Sequence, residues 1–509
     1  MNIIFKLASA FLFPTLLLAQ SVTVSVKWTK EEPYPICREE TRLVYSDDKN
    51  LWLYRPDPDP KKCSLELMDR KSMASIRKVA IPVPAYIDAL AVDGNVAVSM
   101  NWTLAKEIIK VTATSIDLKD GKNKGAQMIF QSPLPRFQNG EKILILPSPN
   151  KKTIGILTRT SGEGDKSTTF QYKAVDLNLK ELASFNISLP LKNELFWQRA
   201  ATVSNNGSLY IHGYEMKSKN DFPGTPKVYT YSADTKVWDE VKLPATYPKM
   251  YNFILKTDKD NNLEVLGKFY NKKSEDYFYN GIFYFKFNGS GKQVLANKKL
   301  EFDASKMSEL AKKHFNPSKG LASEFDIKEV VTFPNNEQVY LLEYTYDFSN
   351  GSSRTLNHNA IVALKVGATG NLLNTSIIHK EQINYHVEQR ISEAAKGSTN
   401  ENLGSYIYLQ KNNDMYFYYL DDASNTGNSL KELKSANLRK NEPNALFQAK
   451  LNSNGEVEKK KLFTIAEAGF IPVVGNAGKC TNSGFVANAY HLNNINVLTT
   501  KLLQIELTQ

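Results

Sequence analysis

The side chains best suited to chemistry in this chain are six histidines: His212, His314, His358, His379, His386 and His491. A histidine metal site needs short fixed spacings, such as His-x-His on a strand or His-Glu-x-x-His on a helix. No two of the six are so spaced, so no metal ligand set and no cofactor is assigned. Asp421, Asp422 and Asn425 lack the spacing of a calcium-binding loop and read as a polar loop. No Gly-x-Ser-x-Gly elbow offers a nucleophilic serine, and Cys480 has no activating motif beside it. Paired carboxylates could cleave a glycosidic bond. Glu215, Glu275, Asp276, Glu324, Asp347 and Asp421 could supply such a pair, but with so many acids some pair is always at hand.

Aromatic residues carry more information. Tyr214, Phe222, Tyr277, Phe278, Tyr279, Tyr346, Phe348 and Tyr385 fall in segments between predicted strands, near Lys and Asn. Rings with amide and cationic neighbours suit sugar rings or peptide segments, though such rings also serve to pin loops. The candidate ligand contacts are Tyr214, Phe222, Tyr277, Tyr279, Tyr346, His358, Tyr385 and His386.

The elements that must position them come from a repeat. Eight times a β-run, a turn rich in Asn, Asp and Gly, and a second β-run follow one another, with turn centres near Asp48, Gly94, Asn150, Asn206, Asn261, Asn335, Asn412 and Asn482. Asn, Asp and Gly tolerate the positive φ of tight hairpins. A further hairpin follows most of these, as in Gly281–Leu300, Asn359–Ile378 and Asn444–Phe463. Four strands per unit at this period is the signature of a β-propeller. The predicted fold is therefore all-β: one propeller of four-stranded antiparallel blades over residues 20–509, eight blades, with seven as the alternative. The last unit ends after one long strand, Val497–Leu507, while Val22–Trp28 is an orphan strand before the first unit. Pairing of the two would complete the last blade and cover its edge.

Such blades place the hairpin turns on one face and the other connections on the opposite face. Turn centres lie 46–56 residues apart over the first four intervals and 70–77 over the last three, so the insertions concentrate in the C-terminal half. The main ones are assigned to loops at 301–326, 379–403 and 421–443, with helices over Asp303–His314 and Tyr385–Lys396. Long loops on one rim are where repeat folds usually bind.

The fourth unit, AATVSNNGSLYIHGY (Ala200–Tyr214) followed by KVYTYSADTKVWDEVKL (Lys227–Leu243), resembles a kelch repeat. The apolar strand SLYIHGY and the Tyr–turn–Trp hairpin through Tyr231 and Trp238 carry the likeness, and Tyr214 departs from it where kelch repeats usually have a second Gly. The C-terminal third, through AIVALKV and ALFQAKL, is similar to uncharacterised secreted bacterial propeller proteins. Both likenesses imply fold, not activity.

Met1–Ala19 reads as a secretory signal: Lys6 precedes an apolar run from Leu7 to Leu18, with cleavage after Ala19. Export to the periplasm or the extracellular space would let Cys37 and Cys63, which flank the first hairpin, form a disulfide. Loss of Lys6 takes the formal charge from +11 to 11 − 1 = +10, spread along the chain, which reads first as a solvated surface; attraction to acidic glycans or anionic lipid is the sharper reading, and nucleic acid is disfavoured in an exported chain. The sequence thus favours a binding scaffold for a protein or glycan, acting through the loop-rich face, over catalysis. The alternatives are a propeller enzyme acting on polysaccharide and a subunit of a cell-envelope complex.

Overall fold

The computed structural model describes residues 22–33, 41–57, 59–81, 89–134, 143–161, 167–218, 224–244, 249–270, 278–302, 315–316, 320–349, 353–387, 404–427, 433–438, 443–493 and 496–508. They form eight antiparallel blades, seven of which span 42–80, 89–133, 144–189, 196–240, 249–301, 325–387 and 407–464. The eighth comprises 471–508 and the N-terminal strand. All eight expected turn centres lie between the first and second strands of their blades. The turn residues explain the sharp reversals: Asn261, Asn336 and Asn412 sit at φ of 64°, 62° and 56°.

Blade strands are apolar at nearly every position because both faces are covered. In the second strand of blade 1, Asn50–Arg55, the four central residues Leu51, Trp52, Leu53 and Tyr54 are buried, alternate ones against opposite neighbours. Each of the eight blade-to-blade interfaces has its own cluster of buried side chains, including the one between blades 8 and 1, where Leu51, Leu53 and Met68 meet Cys480, Val486 and Leu502. The ring is therefore closed. Its last seam is made by Thr23–Trp28, which pairs antiparallel with Asn496–Thr508 from Thr23↔Thr508 to Trp28↔Leu503. Trp28 anchors the strand against Phe463 and Phe470, at 5.7 and 6.4 Å between ring centroids.

The hairpin turns on one face, the turn face, are knitted together. The Asn150 N–H donates to Asn205 Oδ1 (3.1 Å), the Asn206 N–H to Asn261 Oδ1 (3.3 Å) and the Gln410 N–H to the Asn482 carbonyl (2.7 Å). Asparagine thus serves twice, bending its own turn and tying it to the next blade.

The opposite, loop face departs from expectation. The insertions assigned to loops contain strands. Phe315–Asn316 and Gly320–Ala322, within 301–326, form a small sheet with Phe278–Tyr279. Residues 379–387 end the strand Leu372–Val387, and Asp421 and Asp422 end the strand Asp414–Asp422. Ala436–Asn437 adds a parallel fifth strand to blade 6. The helix expected over Tyr385–Lys396 begins instead as strand through Val387, because Ile383, Tyr385 and Val387 alternate at period two. Its remainder, like Asp303–His314, lies outside the described residues. Blade 8 has a broken first strand, Ile471–Pro472 and Gly478–Thr481, interrupted by a 3₁₀ turn at Val474–Asn476. Before it stands a single-turn helix, Ile465–Ala468, closed by a capping box between Thr464 and Glu467.

Candidate functional site

Two of the candidate aromatic residues, Tyr214 and Tyr279, lie inside the structure. Tyr214 is buried between blades 4 and 5 against Trp197, His212 and Phe253, at 5.8, 5.0 and 6.4 Å. Tyr279 is fully buried, donates to the Phe325 carbonyl at 3.1 Å, and lies under the Lys268 ammonium at 4.8 Å. Both rings pin structure and face no solvent. Tyr346 is open, at 41% exposure. Tyr385 and His386 are placed by backbone register opposite Thr355 and Arg354. Phe222, Tyr277 and Cys37 lie outside the described residues. Cys63 is buried, with Sγ 3.4 Å from the Tyr54 hydroxyl.

His212 and His379 are buried in strands, where desolvation lowers their pKa values to about 3 and about 4. His491 Nδ1 lies 2.9 Å from the Gly469 carbonyl. Of the acids, Glu215 accepts from the Tyr229 hydroxyl and Asp421 is fully buried against Lys459 at 2.8 Å, while Glu275 and Asp276 lie outside the described residues. Among the described residues no group of three His, Cys, Asp or Glu side chains could hold a metal ion, and no helix is long and apolar enough to cross a membrane.

Three features stand out. The first is a tongue on the loop face. In blade 6 the second, third and fourth strands, Gln338–Ser349, Ser353–Val366 and Leu372–Val387, run 12, 14 and 16 residues, against 9, 8 and 8 in blade 7. Their pairing continues past the blade, from Thr345↔His358 to Ser349↔Arg354 and on to Ser353↔Val387. At about 3.3 Å per residue the five extra positions carry the sheet roughly 15 Å outward. Register shifts between Glu343 and Thr345, and between Asn359 and Ile361, mark where it leaves the blade.

The second is a buried ionic seam between blades 6 and 7 at that level. Glu343 and Lys380, both fully buried, pair at 2.8 Å. Lys380 Nζ also donates to the His358 carbonyl and Gln382 Oε1, at 2.9 and 2.8 Å. The other Glu343 oxygen accepts from Ser405 Oγ (2.8 Å) and faces His358 Nδ1 (3.4 Å). Burial opposes ionisation of Glu343, but Lys380, with His358 and Lys328, outweighs it and holds the carboxyl well below the usual range. Gln382 Nε2 reaches the Leu420 carbonyl of blade 7 at 2.7 Å. Nearby, Lys459 joins Asp421 to the His379 carbonyl of blade 6. The seam therefore fixes the base of the tongue to the next blade. Sequence reasoning missed Glu343, Lys380 and Lys459, which sit inside strands and carry no motif.

The third feature lies on the axis at the turn face. Two adjoining cavities of about 230 and 210 Å³ share Leu43, Val44 and Lys151 in their walls. They are bounded by the innermost strands of blades 8, 1, 2 and 3, and their walls carry three cations, Arg42, Lys151 and Lys479, and no acid. The Lys479 ammonium lies over the Tyr408 ring at 3.3 Å.

No protein-family model matches the chain, and no curated protein matches it. Among solved structures, the chain is similar to the WD40 domain of SCAP from fission yeast, at 8% identity over 95% of this chain and 98% of that one, with a TM-score of 0.39. The β-propeller domain of the Trilobed protease from Pyrococcus furiosus, described as having an open velcro topology, matches at 10% identity over 83% and 96%, TM-score 0.34. The polysaccharide lyase Uly1 matches at 12% identity over 93% and 100%, TM-score 0.37.

Proposed function

We propose that this chain is an exported binding propeller that holds a protein partner or a glycan through its loop face, with the tongue of blade 6 as the main contact. The observation that carries this reading is the tongue itself. Its strands extend beyond the blade, so the interblade core does not require them, yet they stay paired and their base is fixed by the Glu343–Lys380 seam. An ordered projection with an exposed Tyr346 near its base is suited to seating a sugar ring or a peptide segment. The Met1–Ala19 leader supports export. Kelch kinship is supported by Tyr231 standing opposite Trp238 in the blade 4 hairpin.

Crosslinking of the whole chain in its native cells, read by mass spectrometry, tests this. Crosslinked peptides should come from the strand ends around Thr345–Ser349 and Ser353–His358. Crosslinks confined to the turn face, or polysaccharide turnover by purified chain that survives removal of the tongue, would overturn the reading.

A further inference from the structure

The axial cavity at the turn face has a charge balance that the fold does not explain. Glu329 pairs with Lys256 at 3.8 Å and also acts on Lys479, favouring its charged form against the larger opposing effect of burial. Arg42, Lys151 and Lys479 have no carboxylate within ion-pair distance among the described residues. Asp47 and Asp93 border the mouth, but each is engaged by backbone N–H groups of its own turn at 2.8–3.0 Å. Lys151 lines both cavities, with Arg42 in the wall of one and Lys479 in the wall of the other, and like charges placed so repel one another.

The way Lys151 is held points in the same direction. It has a φ of 57°, a left-handed conformation uncommon for a residue with a Cβ, fixed by its N–H to the Ser148 carbonyl at 2.8 Å. The turn thereby directs the side chain to the axis. Lys151 and Lys479 each keep accessible surface, yet enclosure lowers the pKa of both, and Arg42 adds to the effect on Lys151. Accessible and desolvated at once is the condition of a side chain lining a channel. The neighbouring walls are close: a Cβ on Gly478 would come within 2.5 Å of Leu43 Cβ, so the inner strands of blades 8 and 1 meet there without a side chain between them.

We propose that the cavity of about 210 Å³ is a binding site for a multivalent oxyanion, held by Lys151 and Lys479, with Arg42 in the wall of the adjoining cavity. Each cavity, at about 210 or 230 Å³, is smaller than the roughly 300–1,000 Å³ of a drug-sized ligand site. The occupant is therefore a small polyanion, or one charged unit at the end of a longer molecule, rather than the body of a polymer. Phosphate and carboxylate groups share the required chemistry.

Titration calorimetry on the full chain at low ionic strength, with inorganic pyrophosphate and with citrate, separates these two sources. At least one should bind, and it should raise the melting temperature. Lys151→Ala and Lys479→Ala should each weaken binding at least about tenfold, the scale of one charged contact. Lys152→Ala, in the same turn and outside the cavity walls, should leave it unchanged, and Lys479→Arg should retain it. Because occupation restores protonation of the enclosed amines, affinity should fall as pH rises. A chain lacking the tongue should bind equally well, so the outcome is separate from that of the loop-face reading. Failure of both probes, or undiminished binding in both alanine variants, would overturn the proposal.

Discussion

His212 is a fully buried imidazole stacked on Phe253 at 4.2 Å and 17°, with neither ring nitrogen hydrogen-bonded. Burial lowers its pKa from an ordinary 6.5 to about 3, and that of His379 to about 4. As pH falls below 6.5 the unfolded chain takes up protons that the folded chain refuses. Stability from these residues is thus complete above pH 6.5 and is lost progressively down towards pH 3. At about 1.4 kcal/mol per pKa unit, His212 alone accounts for a loss on the order of 3–5 kcal/mol. Thermal denaturation from pH 7.5 to pH 4 should show a shallower decline for His212→Phe than for the natural chain; an unchanged slope would refute this role. The Glu343–Lys380 pair makes a second prediction. Lys380→Met should cost about 3–5 kcal/mol in chemical denaturation by leaving Glu343 buried and unpaired. Pairing it with Glu343→Leu should recover most of that loss. Neither feature was legible in the sequence, since Glu343 lay in a run that read simply as strand and Lys380 in the segment 379–403 that read as loop. The two side chains meet across the intervening strand only in the folded blade, where register shifts flank them.

The strands themselves were far more legible. Turn chemistry announced each first hairpin because Asn and Gly are needed where φ is positive, as at Gly94, Gly207 and Asn412. The closing strand was legible for a different reason: VTVSVKW had no partner and the last blade lacked a strand. Its six register pairs and the Trp28 packing put its contribution on the order of 5 kcal/mol. A chain beginning after Trp28 should therefore melt earlier and form higher oligomers by size-exclusion chromatography, through the exposed edge of Asn496–Thr508. A monomer of unchanged stability would show that the strand is dispensable. The tongue was hidden because Tyr385–Lys396 satisfies a helical spacing while Ile383, Tyr385 and Val387 satisfy a strand spacing. Pairing with Ser353–Val366 decides in favour of strand as far as Val387.

At the scale of the whole ring, the two faces differ in kind. The turn face is cross-tied by asparagines and surrounds a cationic axial cavity. The loop face carries the added sheets, with the tongue braced by a buried ionic seam. The cavity could not be read from the sequence because Lys151 and Lys479 are far apart along the chain, and only closure of blade 8 onto blade 1 brings them to one wall. The lopsided turn spacing did locate the elaborated half, though as loops rather than strands. The most direct test of the binding reading is to replace residues 346–357 by a short Asn-Gly turn and measure recovery of the natural partner or glycan. A melting temperature within a few degrees of the natural chain, together with loss of the ligand, is the expected result. Full ligand recovery by a folded, tongue-less chain would contradict it.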